Sequence, residues 1–474
     1  MVNLHTDSSW RTLLAWRGVR SPVSCQLLMY LVAQKLKYAG RFVLTSEERR
    51  AGRRARREMR RRMKKDEILK DHGHMDAVSD FGHLLEAADR SAKNVRWKCS
   101  VQRYEASVLR KTYETHMKIL NGEDVRCGFH KFTIMERGKL RDISSVHISE
   151  RVVQRSLSDN VLVPVLTRTA ISANMACIEG RGTHAAIDMV ANFLREHYRK
   201  YGLNGVVVKI DFHNYFGSLN HNYIRKILED HFDDQELIEF VMQFVDAFGD
   251  IGCGLGSQVS QIIGTVYPNK ADHYAKEVLR IRAYLRYMDD TFMIFPTKEE
   301  AKEALKQLFA IYEEMGIEVN EKKTQIIDIR HEFTFLKTQF RLTDTGKVIM
   351  RPCRQSITRE RRKLKKLKKK LDEGRITFEE VQQQYQSWKG YMKHKMSWRT
   401  VNRMDQLFDE LFIHNWKGKE GNINADQIQR NNSNRRKRQK DRTKFVACAD
   451  GNKNPERIPD NRSVDGRRTD SGKA

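Results

Sequence analysis

Residues 287–295 read Tyr287-Met288-Asp289-Asp290-Thr291-Phe292-Met293-Ile294-Phe295. The apolar stretch after the two acids predicts strand, tight turn, strand, with both carboxylates at the turn. Adjacent acids at a hairpin tip repel unless they are solvated or hold a cation. A second strand-end acid lies upstream. The β-branched run Gly205-Val206-Val207-Val208-Lys209-Ile210 predicts a buried strand, and Asp211 follows it directly. An isolated Asp-Asp pair is most often a polar turn. Two independent strand-end acidic sites argue against that here. Three carboxylates form an all-oxygen donor set suited to Mg²⁺. Two such ions about 4 Å apart activate an attacking hydroxyl and stabilise a leaving phosphate oxygen.

Composition fits a phosphate-handling protein. The 474 residues carry 88 Lys+Arg against 61 Asp+Glu, a formal net charge of +27, which implies a polyanionic partner. Hydrophobic content of 39% excludes a wholly disordered chain. No apolar run approaches the roughly 18 residues of a spanning helix, and Leu27 to Ala33 is too short. That run also lacks a cleavage site for a signal peptide. The cysteines, at 25, 99, 127, 177, 253, 353 and 448, form no CxxC pair. A zinc ribbon or disulfide framework is therefore not expected, and a reducing cytoplasm fits.

The charge is uneven. Arg49 to Lys65 holds 11 basic residues and one acid, Arg354 to Lys370 ten and one, and Arg435 to Lys444 seven basic residues in ten. The first run predicts a solvated helix, with nucleic-acid contact as the alternative. Leu27 to Leu36 suggests an amphipathic helix. Residues 76–120 read as two helices. Lys131 to Ile134 and Lys139 to Ile143 read as strands about a Glu136-Arg137-Gly138 turn. Helices are expected over 148–166 and 183–200. Asp71-His72-Gly73-His74-Met75-Asp76 reads as a polar linker. In 356–372, Ile357, Leu364, Leu367 and Leu371 share one stripe. Thr377 and Glu380 form a capping box for a helix with Phe378, Val381, Tyr385 and Trp388 on one face. A third helix is expected over 397–412. From Gly418 the composition predicts disorder.

On these residues the chain resembles a reverse transcriptase. Tyr287-Met288-Asp289-Asp290 is similar to the family's catalytic hairpin. Asp211 with Phe216 resembles its first metal motif and steric gate. The resemblance covers roughly 76–412 and implies an α+β right-hand polymerase fold. Its parts would be a basic, partly helical extension (1–75), fingers (76–204), a palm with an antiparallel sheet (205–345), a helical thumb (346–417) and a basic tail (418–474).

The resemblance implies RNA-directed addition of dNTPs to a primer 3′-hydroxyl. Asp211, Asp289 and Asp290, with Phe212 beside them, would hold two Mg²⁺ ions, for which Mn²⁺ can substitute. Phe212 would also border the nucleotide. Phe216 would exclude a ribose 2′-hydroxyl. Arg141 would contact the triphosphate, since a guanidinium fork suits phosphate oxygens. Lys323, in Asn320-Glu321-Lys322-Lys323-Thr324, would approach the triphosphate or act as a general acid. Phe333-Thr334-Phe335-Leu336-Lys337 resembles the primer grip, with Lys337 in place of the usual Gly. Gly180-Arg181-Gly182-Thr183-His184 is similar to a stretch of bacterial relatives that positions template or fingers. Ser387-Trp388-Lys389-Gly390-Tyr391 resembles a thumb element in which Tyr391 replaces His, with Trp388 as a core anchor. Lys337, Arg361, Lys365, Lys366 and Lys369 would track the nucleic-acid backbone.

Leu255-Gly256 with Ser260-Gln261 departs from the common Gln-Gly-x-x-x-Ser-Pro. This variant is most similar to enzymes of diversity-generating retroelements, bacterial or phage. Apolar contact discriminates weakly, so error-prone synthesis opposite adenine follows from it. RNA template, cDNA primer, dNTPs and either a small basic accessory protein or a structured non-coding RNA would be the partners, with no membrane. A defence-associated, anti-phage reverse transcriptase is the alternative. A group II intron-type enzyme fits less well, since no Cys/His module follows the thumb. A nucleic-acid-binding protein with an inactive core conflicts with the intact Asp211, Asp289 and Asp290 set.

Overall fold

The computed structural model describes residues 45–136 and 139–414. The helix expected near Leu27, the tip of the first hairpin and the basic tail lie outside these residues. Two compact units divide the described chain: residues 45–357 with 390–397, and residues 358–389 with 398–414.

In the larger unit, β1 (Phe129–Glu136) and β2 (Lys139–Val146) form an antiparallel hairpin with Phe132 opposite Ile143 and Ile134 opposite Arg141. A four-stranded antiparallel sheet follows. It consists of β3 (Val206–Ile210), β4 (Tyr284–Tyr287), β5 (Asp290–Phe295) and β6 (Gln325–Asp328), in the order β4-β5-β3-β6. Central strands are buried on both faces, which is why β3 and β5 read as continuous apolar runs. Alternation divides their side chains between two cores. Val208, Ile210, Met293 and Phe295 enter one, and Val207, Phe292 and Ile294 the other. Burying a side chain such as Phe292, fully enclosed, contributes about 1.5–3 kcal/mol.

The second core also takes Ile187, Val190 and Leu194 from the helix Thr183–Tyr201. It is closed by a three-stranded sheet of β7 (Phe333–Phe335), β8 (Thr338–Leu342) and β9 (Val348–Pro352). The rings of Phe333 and Phe340 stack there at 5.4 Å.

Residues 76–120 differ from the two helices expected. They form Met75–Ser79, Phe81–Ala92, Cys99–Glu105 and Val108–Leu120. Asp80 breaks the first pair by capping the second helix, its carboxylate accepting from the His83 N–H at 2.8 Å. Asn94, at φ 67°, ends the next in the left-handed region that Asn tolerates. The expected polar linker at 71–76 instead closes the long basic helix Ser46–His72 and opens Met75–Ser79. The run 148–166 is helical, with a π-turn over Ser158–Leu162.

In the smaller unit, Leu364 and Leu367 are buried, whereas Arg361, Lys365, Lys366 and Lys369 are exposed. The Thr377 and Glu380 box forms, with reciprocal bonds of 3.1 and 3.3 Å. Tyr385 stacks on Phe408 at 4.5 Å and donates to Asp405, which also pairs with Lys389. Trp388 stacks on Tyr385. Among the described residues no helix is long and apolar enough to cross a membrane.

Candidate active site

Strand register sets the carboxylates. Ile210 of β3 lies opposite Thr291 of β5. One step further, Asp211 follows Ile210 and Asp290 precedes Thr291, so antiparallel pairing brings the two side by side. By alternation, Asp290 shares a face with Phe292, and Asp211 with Val207 and Lys209. Met288 and Asp289 form the two-residue turn between β4 and β5, closed by Tyr287 opposite Asp290. Met288 takes φ 56°, a left-handed conformation that a side chain normally resists.

That turn has a buried support. Arg286, two residues earlier, is fully buried beside fully buried Asp272, 2.7 Å away. Its Nη2 donates to the Thr265 carbonyl at 2.7 Å, and its Nη1 to the Met288 carbonyl at 3.1 Å. Burial opposes its charge, but Asp272 outweighs burial and holds the guanidinium above its ordinary value. A buried ion pair persists when its remaining donors are satisfied, and here they are spent on the strained turn. No sequence pattern marks this pair, since Arg286 and Asp272 look like surface charges.

Burial first, then the charges of Asp289 and Asp211, push Asp290 up to about 7. The three carboxylates therefore sense one another. Lys323 Nζ lies 2.8 Å from Asp211 Oδ2. Lys209, drawn down by burial and supported by Asp290 and Asp211, sits on the same strand and donates to Gln325 at 3.3 Å. Among the described residues no three His, Cys, Asp or Glu side chains converge closely enough to hold an ion as they stand. Lys323 supplies a reason, since its ammonium occupies an Asp211 oxygen. The donor chemistry fits a hard divalent cation: carboxylate oxygens only, crowded until one takes up a proton near neutrality.

The side chain of Phe212 lies in the core, edge-on to Tyr312 at 4.9 Å. Only its backbone can face a ligand. Its neighbours make the bonds to 318–320, with Asp211 O accepting from Asn320 and His213 N donating to Glu318. Phe216 is half-buried. Its ring passes so near Gly264 that a Cβ there would lie 2.9 Å from Cε1.

Phe216, Leu255, Gly256, Gln261 and Met288 line a cleft of about 550 Å³, together with Arg90, Lys93, Arg151 and Arg155. The basic side of this cleft was missed in the sequence. Arg151 and Arg155 lie among the apolar positions of the helix Ile148–Leu157 and Arg90 on the helix Phe81–Ala92, and the polar interruptions Arg151 and Gln154 were the available signal. Gln154 accepts from the Ser257 hydroxyl and the Gln258 N–H, fixing that helix to the Leu255–Gly256 loop. The same loop meets β2, where the Ser144 N–H donates to the Leu255 carbonyl at 3.0 Å. Gly256 is required there: its φ is +119° and a Cβ would lie 2.5 Å from the Ser144 carbonyl. Gln261 is exposed, its amide 3.0 Å from Cys177 Sγ. Arg141 is exposed on β2.

Lys337 is exposed at a two-residue turn joining β7 to β8, with Phe335 opposite Thr338. Leu336 and Lys337 have φ 43° and 59°. Tyr391 donates to the Leu336 carbonyl and Lys395 to the Lys337 carbonyl, both at 3.4 Å. Burial pulls the Lys395 ammonium down to about 8, and it sits 3.8 Å from the Tyr391 ring centre. The Gly180–His184 stretch caps the helix Thr183–Tyr201, and His184 stacks on His394 at 3.8 Å. His221 is structural, bridging Asp246 and the Gly252 carbonyl at 2.8 Å each.

Residues 129–340 match the family model described as reverse transcriptase (RNA-dependent DNA polymerase). The match covers 212 of the 474 residues, so the likeness to a reverse transcriptase is confined to this segment. The mixed helix and strand architecture with antiparallel sheets is consistent with a right-hand polymerase fold.

Solved structures similar to the chain include three telomerases. That of Candida albicans with a TWJ fragment of telomeric RNA is 14% identical, over 48% of this chain and 46% of that one, at TM-score 0.37. Apo telomerase of Candida tropicalis truncated from its C-terminal domain is 18% identical, over 47% and 55%, at 0.36. Apo telomerase of Candida tropicalis is 16% identical, over 51% and 53%, at 0.36. The chain spans about half the length of these telomerase chains. No curated protein matches it.

Proposed function

We propose that Asp211, Asp289 and Asp290 are the catalytic carboxylates of an RNA-templated, error-prone DNA polymerase of the diversity-generating retroelement type. The observation that carries the catalytic assignment is the gathering of three carboxylates at one end of the central strands, where burial first and then the charges of Asp289 and Asp211 raise Asp290 to about 7. These residues, with the Phe212 backbone, would hold two Mg²⁺ ions. When bound, such ions supply Lewis acidity to the attacking hydroxyl and to the leaving phosphate oxygen. Arg286 keeps the Met288–Asp289 turn in its strained form, so the acids are positioned in advance. Arg141 and Lys323 donate to the triphosphate. Phe216, backed by Gly264, closes the space a 2′-hydroxyl would need. Leu255 and Gln261 border the nascent base pair, and Leu255 offers apolar contact alone, which supports low fidelity.

In domain terms, residues 76–204 act as fingers, 205–345 as palm and 346–417 as thumb. Lys337, Arg361, Lys365, Lys366 and Lys369 would hold the primer–template backbone, and the cytoplasm is the proposed compartment. The test is dNTP incorporation on a primed RNA of defined sequence with Mg²⁺, beside the Asp289→Asn, Asp290→Asn double variant, with products sequenced. Synthesis abolished in the variant, with errors concentrated opposite adenine, is expected. Accurate synthesis would replace the retroelement reading by the anti-phage one. Synthesis that survives in the double variant would overturn the catalytic assignment.

A further inference from the structure

Glu150 is buried in the first turn of the helix Ile148–Leu157 and does not line the cleft at Phe216. A carboxylate is seldom buried without partners that offset its lost hydration. Glu150 has two. Its Oε2 accepts from the Cys127 N–H at 2.8 Å, and its Oε1 from the Gln154 amide at 2.9 Å. Burial pushes the Glu150 carboxyl up, and these two bonds, with Arg126, pull against that rise.

Each bond leads to a different wall of the nucleotide pocket. Cys127 stands just before β1, in the hairpin whose second strand carries Arg141. Gln154 leads to the Leu255–Gly256 loop. Its Oε1 accepts from the Ser257 hydroxyl at 3.1 Å and from the Gln258 N–H at 3.3 Å. Ser257 Oγ in turn accepts from the Ser260 N–H at 3.3 Å and so caps the helix Gln258–Val266. The Ser144 N–H of β2 closes the circuit on the Leu255 carbonyl.

Donor and acceptor identities give this chain a direction. Two donors from the loop meet the Gln154 oxygen, so its nitrogen points the other way. An acceptor must receive it there, and an ionised carboxylate accepts at both oxygens. A neutral amide at position 150 has one oxygen and one NH₂ group. It can serve the Cys127 N–H or the Gln154 amide, not both. If the Gln154 amide turned over to meet it, an NH₂ group would face the Gln258 N–H.

We infer that Glu150 is a positioning residue for nucleotide selection. From behind the cleft it fixes the direction of Gln154, and so holds the Leu255–Gly256 loop in register with the base of the Arg141 hairpin. This rests on the polymerase reading, which assigns that loop and that hairpin to the incoming dNTP.

Two variants of the full chain test it, Glu150→Gln and the exchange Glu150→Gln, Gln154→Glu. Both keep side-chain size, so packing is nearly constant. Glu150→Gln sets donor against donor. In the exchange, the new amide at 150 accepts from Cys127 and donates to the new carboxylate at 154, whose oxygens accept from Ser257 and Gln258. On a primed RNA, KM for dNTP should rise about tenfold in Glu150→Gln, the effect of one buried unpaired donor. The rate at saturation should fall much less, since Asp211, Asp289 and Asp290 are untouched. The exchange should bring KM back to within about twofold of the wild type. Hydrogen exchange reads the same network without synthesis. The Cys127 and Gln258 amides should exchange about tenfold faster in Glu150→Gln and recover in the exchange variant.

Unchanged KM in a folded Glu150→Gln variant overturns the proposal. So does an exchange variant that stays impaired or unfolded, because the direction of the bonds would then not be what Glu150 supplies. If Glu150→Gln does not fold, recovery of both fold and KM in the exchange variant upholds it. A wild-type chain that incorporates no dNTP fails the polymerase reading instead, and the role of Glu150 in holding the loop then stands or falls on the amide exchange.

Discussion

The Lys323 ammonium lies 2.8 Å from the Asp211 carboxylate, joining residues 112 apart in sequence at the end of the central strand. A cation on Asp211 must displace this partner. Lys323 is about half exposed, so the pair contributes no more than about 1 kcal/mol. Lys323→Gln should therefore lower the Mg²⁺ concentration for half-maximal synthesis by about two- to fivefold. If Lys323 also serves the triphosphate, KM for dNTP should rise in the same variant. Steady-state kinetics at varied Mg²⁺ and dNTP separate the effects. An unchanged Mg²⁺ requirement would show that the pair does not compete with the metal.

Asp290 gives a pH dependence of definite sign. Its carboxyl is raised from an ordinary 3.8 to about 7, by burial first and then by Asp289 and Asp211. A group raised on folding stabilises the protonated protein, fully below its unfolded value. That contribution is lost as pH rises through the folded value. The metal-free protein should thus lose stability between about pH 4 and 7, by at most about 4 kcal/mol. Asp290→Asn should flatten this trend and raise Tm at pH 8. Melting curves in chelator from pH 5 to 8 provide the check. A wild-type Tm that climbs over the same range would contradict the shared-carboxylate picture.

The Arg286–Asp272 pair separates stability from catalysis. Arg286→Met leaves Asp272 charged and fully buried, a loss of about 3–5 kcal/mol. Adding Asp272→Leu removes that charge and should restore much of the stability. Activity should stay low in the double variant, because the Met288 carbonyl has lost the Arg286 donor that holds the turn. Urea midpoints and single-turnover rates report the two effects. Recovery of both together would reduce Arg286 to a core residue.

The contrast between such residues explains what the sequence disclosed. Val206–Ile210 and Thr291–Phe295 announced central strands because burial on both faces demands unbroken apolar runs. Their acidic ends were therefore legible as well. Strand partners were not: register places Asp211 beside Asp290, and no local pattern encodes a pairing across 79 residues. Arg286, Lys209 and Arg151 stayed hidden because a buried or cleft-facing charge has the same letter as a solvated one. The turn at Leu336–Lys337 was concealed differently. Neither residue is Gly or Asn, the usual signal of left-handed backbone, and side chains from 391 and 395 hold it in place.

Phe216 tests sugar selection. Phe216→Ala should open the space in front of Gly264 and raise ribonucleotide incorporation relative to deoxyribonucleotide by about 10- to 200-fold, the usual worth of one steric contact. Gly264→Ala should act in the other direction on geometry, since its Cβ would meet the Phe216 ring at 2.9 Å and displace it. Competition between matched rNTP and dNTP on one primed RNA measures both. Unaltered selection in Phe216→Ala would place the ring away from the sugar and leave it as packing.

Lys337→Gly should change stability and binding in opposite senses. A two-residue hairpin turn with both central residues at positive φ is a type I′ turn, and glycine adopts it without the left-handed penalty. That penalty is about 1–2 kcal/mol, partly offset by the greater freedom glycine gives the unfolded chain. The net gain should be about 0.5–1 kcal/mol, seen as a higher urea midpoint at constant m. The Lys395 bond to the residue 337 carbonyl does not depend on the side chain and should persist. The exposed ammonium is lost, so primer–template binding should weaken, with the salt slope reduced by about 1. A variant that binds as tightly as wild type while melting higher would confine Lys337 to the turn. A destabilised variant would mean that its side chain has a packing role outweighing the strain of its backbone.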